Sequence, residues 1–478
     1  MPEPTRVGPC PRTSRARVLQ AARFKAVQFA RWPIAVAIAL IGCGGGSPPR
    51  STSTELSTEP AEGPVETPAV YRMQLAEDGQ ALRMTLWLRV ESNEVRADLP
   101  DEPGRSVRRA ALQDVRCDDA SLSAGPDGFI LPAGCSALRW SVPFSALPPD
   151  GLHPETRASV YDPERGLYLV SGAATFLVPE SLTERPNVDF RLPASLPVHH
   201  QLPDAGGLGH TLPPRSQLGR LSIGLGSFTV REQNIGRTRI RHLMDNEATI
   251  DLEGLALGFQ YLTAKSGAPP PRSLDVFWFA RPAAGPDGAP PRRLGGAAGL
   301  DSIVANYFRD LPDDAPVTFR RAALAVLFHQ YFASLSGRQV PPWMSQSLGQ
   351  FYALKAWEHS GAIPEEDLSQ IVESAAVASP ERTVIDAFES WAETGRDEDY
   401  RSFYRLGLGF WVALDAHIAD ASDGERALDT VLEDLLGLVY GRDGMPPRRF
   451  LQILDESGAS GAGAITRPFL GWPAGPDE

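Results

Sequence analysis

Eight histidines are the side chains of this chain with the widest chemical reach. Seven of them (His153, His199, His200, His210, His242, His359 and His417) are scattered. The one adjacent pair, His199-His200, lies in a Pro-rich loop with no cysteine or acidic pair at metal-ligand spacing. The eighth stands in an apolar helical run, Val326-Leu327-Phe328-His329-Gln330-Tyr331-Phe332-Ala333, where a lone histidine taken by itself is ordinarily a satisfied core residue. A second helical run follows closely, Pro342-Trp343-Met344-Ser345-Gln346-Ser347-Leu348-Gly349-Gln350-Phe351-Tyr352. Neither a Gly-x-Ser-x-Gly nucleophile elbow nor a phosphate-cradling Gly-x-x-x-x-Gly-Lys occurs, so no other catalytic set competes with these two helices.

The elements around them begin with an export leader. Residues 1–42 hold seven bases and one acid, and the basic stretch ends at Arg31. The apolar run from Trp32 to Gly42 falls short of the roughly 20 helical residues that cross a hydrocarbon core. A positive segment, a short apolar segment and small residues at its end describe a secretory signal. The last four residues, Leu40-Ile41-Gly42-Cys43, resemble a bacterial lipobox. That resemblance implies acylation of the Cys43 thiol, cleavage before it and acylation of the new amine, and two or more acyl chains anchor stably where one is marginal. Gly44, rather than Asp, follows the cysteine, so the expected home is the bacterial cell envelope, lipid-anchored at the outer membrane. The basic segment is long, and a translation start nearer Val18 or Val27 would account for that.

The formal net charge of the whole chain is −13, from 46 bases and 59 acids. Without residues 1–42 it is 39 bases against 58 acids, near −19. Nucleic-acid phosphates would repel such a chain, and no basic stripe with interleaved aromatics offsets the repulsion. Nucleic acid is therefore excluded as a partner, and the membrane is reached through the N-terminal lipid.

Pattern divides the remainder. Residues 44–68 are rich in Gly, Ser, Thr, Pro and Glu and form a disordered tether. Residues 69–180 read as an antiparallel β domain, with strands at residues 84–90, 137–142, 167–170 and 174–178 separated by turn clusters. Cys117 and Cys135 both fall there. In an exported protein they are expected to pair as a disulfide worth roughly 3 kcal/mol. Two cysteines alone make a poor metal site, because no nearby His or Cys completes it. A mixed α/β part spans 181–310. It opens on a Pro-rich connection and has strands at 221–225, 227–230 and 274–280 and a helix over 251–264. A helical part spans 311–478. There Thr318 is placed to cap a helix running to Ser336, others begin near Pro341 and Pro364, and long ones cover 404–419 and 427–440.

The two helices resemble the gluzincin metallopeptidases, whose pattern is His-Glu-x-x-His on one helix and Trp-(Leu/Met)-x-Glu-Gly-x-x-x-(Tyr/Phe)-Tyr on the next. In that family histidines at i and i+4 share a helix face and bind one zinc ion, the Glu of the second helix is the third ligand, and the Glu after the first His is the general base. Carried onto this chain, the first ligand is kept as His329, the base is Gln330, the second ligand Ala333 and the third Gln346. The stretch Gly295-Gly296-Ala297-Ala298-Gly299-Leu300-Asp301-Ser302 resembles the family's Gly-rich edge strand, which pairs with the substrate backbone. Tyr404-Arg405-Leu406-Gly407 resembles the segment whose tyrosine hydrogen-bonds the tetrahedral intermediate, with Leu406 in place of a lysine. The flanking text is most similar to the glycyl aminopeptidases, which also place a β domain before a thermolysin-like unit.

The resemblance implies an α+β multidomain fold, with an N-terminal antiparallel β domain followed by a thermolysin-like α/β and helical unit. The implied remnant catalytic positions are His329, Gln330, Ala333, Gln346 and Tyr404, none forming an intact set, and the implied binding positions are Gly295, Gly296, Gly299, Asp301 and Tyr404. The expected function is that of a zinc-free, inactive aminopeptidase homologue that binds a peptide or an envelope protein and carries no cofactor. An active metallopeptidase with a non-standard site, holding zinc, is the alternative, and a purely structural envelope lipoprotein is the third.

Overall fold

The computed structural model describes residues 69–471 except 89, 91–94, 103, 149–151, 183–184, 247–248, 284–293, 337–339, 374, 376–381, 395 and 442–443. The leader, Cys43 and the tether lie outside the described residues.

Alternating burial builds the first layers. In Val70–Leu75 and Ala81–Trp87, residues Tyr71, Met73, Leu82, Met84 and Leu86 point inward, the period-two signature of a strand with one wet face. These strands pair antiparallel, and Ala81–Trp87 pairs in turn with Ala137–Pro143. The seven-stranded sheet they belong to packs with a five-stranded and a four-stranded sheet over one core that includes Tyr71, Trp140 and Phe176. The Cys117–Cys135 disulfide is formed, with Cα atoms 5.7 Å apart.

Two expectations change here. Residues 174–178 are not a strand: Gly172–Thr175 is a helical turn, and only Val178–Pro179 joins a sheet. The Trp140 indole N–H donates to the Thr175 carbonyl at 2.9 Å and the Tyr71 hydroxyl to the Leu177 carbonyl at 2.8 Å, so buried side chains take acceptors a ladder would have used. The first sheets also draw strands from beyond residue 180. Asn187–Arg191 lies parallel to Val70–Leu75, His210–Thr211 pairs with Asn187–Arg191, and Ser222–Leu225 pairs with Leu167–Ser171. Among the strands of the Pro-rich 181–215 stretch, Val198–His199 and His210–Thr211 are only two residues long.

A five-stranded mixed sheet follows, in the order Thr229–Ile235, Thr238–Met244, Ser273–Pro282, Ser302–Arg309, Gly296–Ala298. The three central strands are parallel and both edges antiparallel. Ser273–Pro282 is buried along almost its whole length because both its faces are covered, and most of its residues are apolar, with Asp275 and Arg281 the buried charged exceptions. Leu274, Val276, Trp278 and Ala280 face the helical core, while Phe277 and Phe279 face a smaller core shared with Leu167 and Leu169 of the first sheets and with Leu152.

The helices Leu255–Ser266, Ala322–Ser336, Pro342–His359, Val384–Thr394 and Asp397–Ala421 pack on the first of these faces. Thr318 does not cap the His329 helix. It sits in a separate turn, Val317–Arg320, and its hydroxyl donates to the Asp367 carboxylate. The long helix expected over 427–440 is reduced to Leu428–Thr430 and Leu432–Leu436. Asp415 accepts the Leu428 N–H at 2.7 Å, and Asp429 is held by Lys265, Lys355 and Tyr352, so the chain is pinned where a helix would have begun. Among the described residues no helix is long and apolar enough to cross a membrane.

Candidate functional site

His329 lies midway along Ala322–Ser336, and two glycines let the neighbouring helices close around it. A Cβ on Gly349 would stand 2.7 Å from the His329 Cδ2, and one on Gly407 would stand 2.5 Å from the Ser347 Cβ. Without side chains at these points the Pro342–His359 helix rests directly on the imidazole, and the Asp397–Ala421 helix rests on Ser347. Trp411 then donates its indole N–H to the Ser347 hydroxyl at 2.9 Å.

This packing gathers His329, Gln346 and Tyr404. The Tyr404 hydroxyl donates to Gln346 Oε1 at 3.1 Å. Its ring meets the imidazole edge to face, with centroids 5.7 Å apart. Burial pushes His329 down to about 4, against a smaller opposing pull from Gln346, so the ring is neutral at neutral pH. Its Nε2 is buried with no hydrogen-bond partner. Gln330, on the next position of the helix, is 3 % exposed, and its Oε1 also lacks a partner. Ala333, one turn on from His329, is buried and offers only a methyl group.

The edge strand Gly296–Ala298 lies against the same helix, and a Cβ on Gly296 would come within 2.8 Å of the Gln330 Cγ and of a Val326 methyl. Gly295 accepts the Asn306 N–H at 3.0 Å and the Gly299 N–H donates to Ser302 at 2.7 Å, which fixes the ladder's phase. The N–H and C=O groups of Gly296 and Ala298 therefore point away from the sheet. Gly299 and Asp301 are not brought to this group. Gly299 is wedged between Ser302 and the Arg220 carbonyl, and Asp301, at φ 49°, forms the turn of the hairpin and accepts the Asp275 N–H through its carbonyl. Gly349, Ser347 and Trp411 carry no role in the sequence pattern, and Gly407 stands there only as the last residue of the Tyr404 segment. Small residues on helices flanking a histidine are the available signal, but which ones face it depends on helix packing.

The donors around His329 are one neutral imidazole, two carboxamides and a phenol. Zinc sites use thiolate, imidazole and carboxylate ligands, so this set does not fit the metal the resemblance implies. Among the described residues, the one cluster of three His, Cys, Asp or Glu side chains is Cys117, Asp118 and Cys135, whose cysteines are already bonded to each other. Two cavities lie elsewhere. One of about 670 Å³ is lined by residues such as Arg165, Tyr307 and Arg320, and one of about 280 Å³ by residues such as Gln201, Asp275 and Ser302.

No protein-family model matches the chain, and no curated protein matches it. Among solved structures, an aminopeptidase N family protein from Idiomarina loihiensis is similar at TM-score 0.65 and 14% identity, over 84% of this chain and 76% of that one. The M1 zinc metallopeptidase of Deinococcus radiodurans aligns at TM-score 0.47 and 14% identity, over 85% and 94% of the two chains. Yeast LTA4 hydrolase aligns at 0.46 and 13%, over 85% and 68%. The first likeness establishes an aminopeptidase-like α+β multidomain fold, a β domain followed by an α/β and helical unit.

Proposed function

We propose that this protein is a zinc-free, non-hydrolytic relative of the aminopeptidases that binds extended peptide segments in the cell envelope, anchored through a lipid on Cys43. The observation that carries the reading is the set of groups around His329, in which Tyr404 donates to Gln346 and positions 330, 333 and 346 offer no carboxylate or second imidazole to hold a metal or take a proton from water. Peptide binding is supported by the outward N–H and C=O groups of Gly296 and Ala298, since addition of a strand needs only such an edge.

Titration calorimetry of a short-peptide library against the full chain tests this, with expected dissociation constants between micromolar and millimolar, roughly −8 to −4 kcal/mol. Ala298→Pro removes an outward N–H that the ladder does not use and should weaken binding about 10-fold. Tyr404→Phe should cost only about 1 kcal/mol, the net worth of one hydrogen bond. If no peptide binds, or if Ala298→Pro binds as well as the wild type, edge recognition is wrong. A purely structural role is the second reading. It is favoured by the Pro154–Thr156 turn, which packs beside this edge strand, and by the burial of Ala298.

For the anchor, labelled palmitate should enter the protein and the protein should sediment with membranes. A Cys43→Ala form that still labels and still sediments would remove the lipid from the proposal.

A further inference from the structure

Residues 198–211 lie across the seam between the first sheets and the mixed sheet, and two polar contacts fasten them to the latter. Arg241 donates through Nη2 to the His200 carbonyl at 3.0 Å, and the Gln201 amide donates to the Asp275 carboxylate. Asp275 is 1 % exposed and is gripped by Arg241, with Nε 2.7 Å from Oδ1. Gln201, Leu202, Pro203 and Thr211 wall the 280 Å³ cavity whose far side includes Asp275 and Ser302.

The His200 ring packs between Phe190 and the His210 end of this segment. It stacks on Phe190 at 5.3 Å and meets the His210 ring at 4.4 Å between centroids. The Leu202 N–H donates to His200 Nδ1 at 3.1 Å, so the ring is neutral with its proton on Nε2. A second proton could enter only at Nδ1, by breaking that bond. The charged and titratable groups that face the ring disfavour it as well: His210 from its own two-residue strand, Arg241 from the mixed sheet, and His199 alongside. The nearby carboxylates are committed, Asp275 to Arg241 and Asp204 to the Gly206 N–H at 2.8 Å. The His210 Nδ1 is itself buried without a partner.

We propose that residues 198–211 form an acid-released strap: a proton on His200, beside His210 and Arg241, expels the Leu202 hydrogen bond and lets the segment lift from the mixed sheet, opening the cavity beneath. Burial, then His210, Arg241 and His199, push His200 down to about 4 while the strap is seated. A lifted strap returns the ring to an ordinary value near 6.5. The seated state is therefore fully favoured above about pH 6.5 and loses ground as pH falls towards 4. At pH 5 the linkage amounts to roughly a 30-fold rise in the open population for a full shift, and a 10-fold rise is the working expectation because the ring is only partly buried.

Hydrogen–deuterium exchange of the full chain in detergent, corrected for the intrinsic pH dependence of exchange, reads this directly. Between pH 7.5 and pH 5, opening of 198–211 should rise about 10-fold, while residues 342–359 stay protected. His200→Gln keeps an acceptor near the Leu202 N–H without the titration, and should abolish the rise. His210→Gln leaves His200 in place and should reduce the rise. A strap with the same protection at both pH values overturns the proposal, as does loss of protection shared equally with 342–359, or an undiminished rise in His200→Gln. If both variants are already open at pH 7.5, packing rather than charge holds the strap, and the proposal fails.

Discussion

Replacing Gln330 with Glu, Ala333 with His and Gln346 with Glu together should convert the wild-type site, which is expected to retain no stoichiometric zinc, into one with at least about 1000-fold higher zinc affinity. The two helices bring these positions into one neighbourhood. His329 and position 333 are one turn apart on one helix, and Gln346 on the next lies within reach of the Tyr404 hydroxyl, whose ring touches His329. The new imidazole and carboxylate supply the charge and basicity that the present carboxamide and methyl group lack. Position 333 is buried, so the added ring costs about 1–3 kcal/mol of packing, which zinc binding offsets. Elemental analysis and zinc titration of both forms decide the matter. About one zinc per wild-type chain, lost on His329→Ala, would sink the zinc-free reading. A triple variant that ignores zinc would show that the helices no longer hold ligand geometry.

Acidification should destabilise the fold well above the carboxylate range. His242 sits in a central strand of the mixed sheet, 4 % exposed, with its Nδ1 accepting the Trp278 indole N–H at 3.1 Å and its Nε2 buried without a partner. Burial first, and Arg231 second, push it down to about 4. The unfolded chain binds a proton near pH 6.5 and the folded one does not. The contribution is therefore whole above that value and is lost as pH falls towards 4. A shift of that size corresponds to about 3 kcal/mol. Asp245 acts in the opposite sense: burial raises its carboxyl, so it gives back stability as pH falls, although the Tyr307 hydroxyl at 2.8 Å and the Ala280 N–H limit the effect. Urea unfolding at pH 7.5 and pH 4.5 should show the loss, to which His329 and His200 add in the same window, and His242→Asn, which can still accept from Trp278, should reduce it. An equal pH slope in that variant would place the acid sensitivity elsewhere.

Much of this molecule was legible in the residues because the signals are local. Alternation around Met84 and Leu86, the apolar run through Trp278 and the periodicity around His329 set element types, although the strand expected over 84–90 is Ala81–Trp87 and its partner Val70–Leu75 is not among the expected strands. The Cys117–Cys135 bond followed from two cysteines falling in one β domain of a chain read as exported, and the edge strand at Gly296 followed from the resemblance to the gluzincins rather than from local pattern. What tertiary structure decided were the places where distant groups compete for one backbone. Trp140 and Tyr71 turn an expected strand at 174–178 into a helical turn, and Asp415 and Asp429 cut short the helix expected at 427–440. Gly349 and Gly407 bring Tyr404 onto Gln346, while Arg220 and Ser302 confine Gly299 to a turn away from His329. The neutral state of His329, His200 and His242 belongs to the same class. A side chain's type fixes which protons it can carry, but the burial and neighbours that set its charge come from segments tens of residues away.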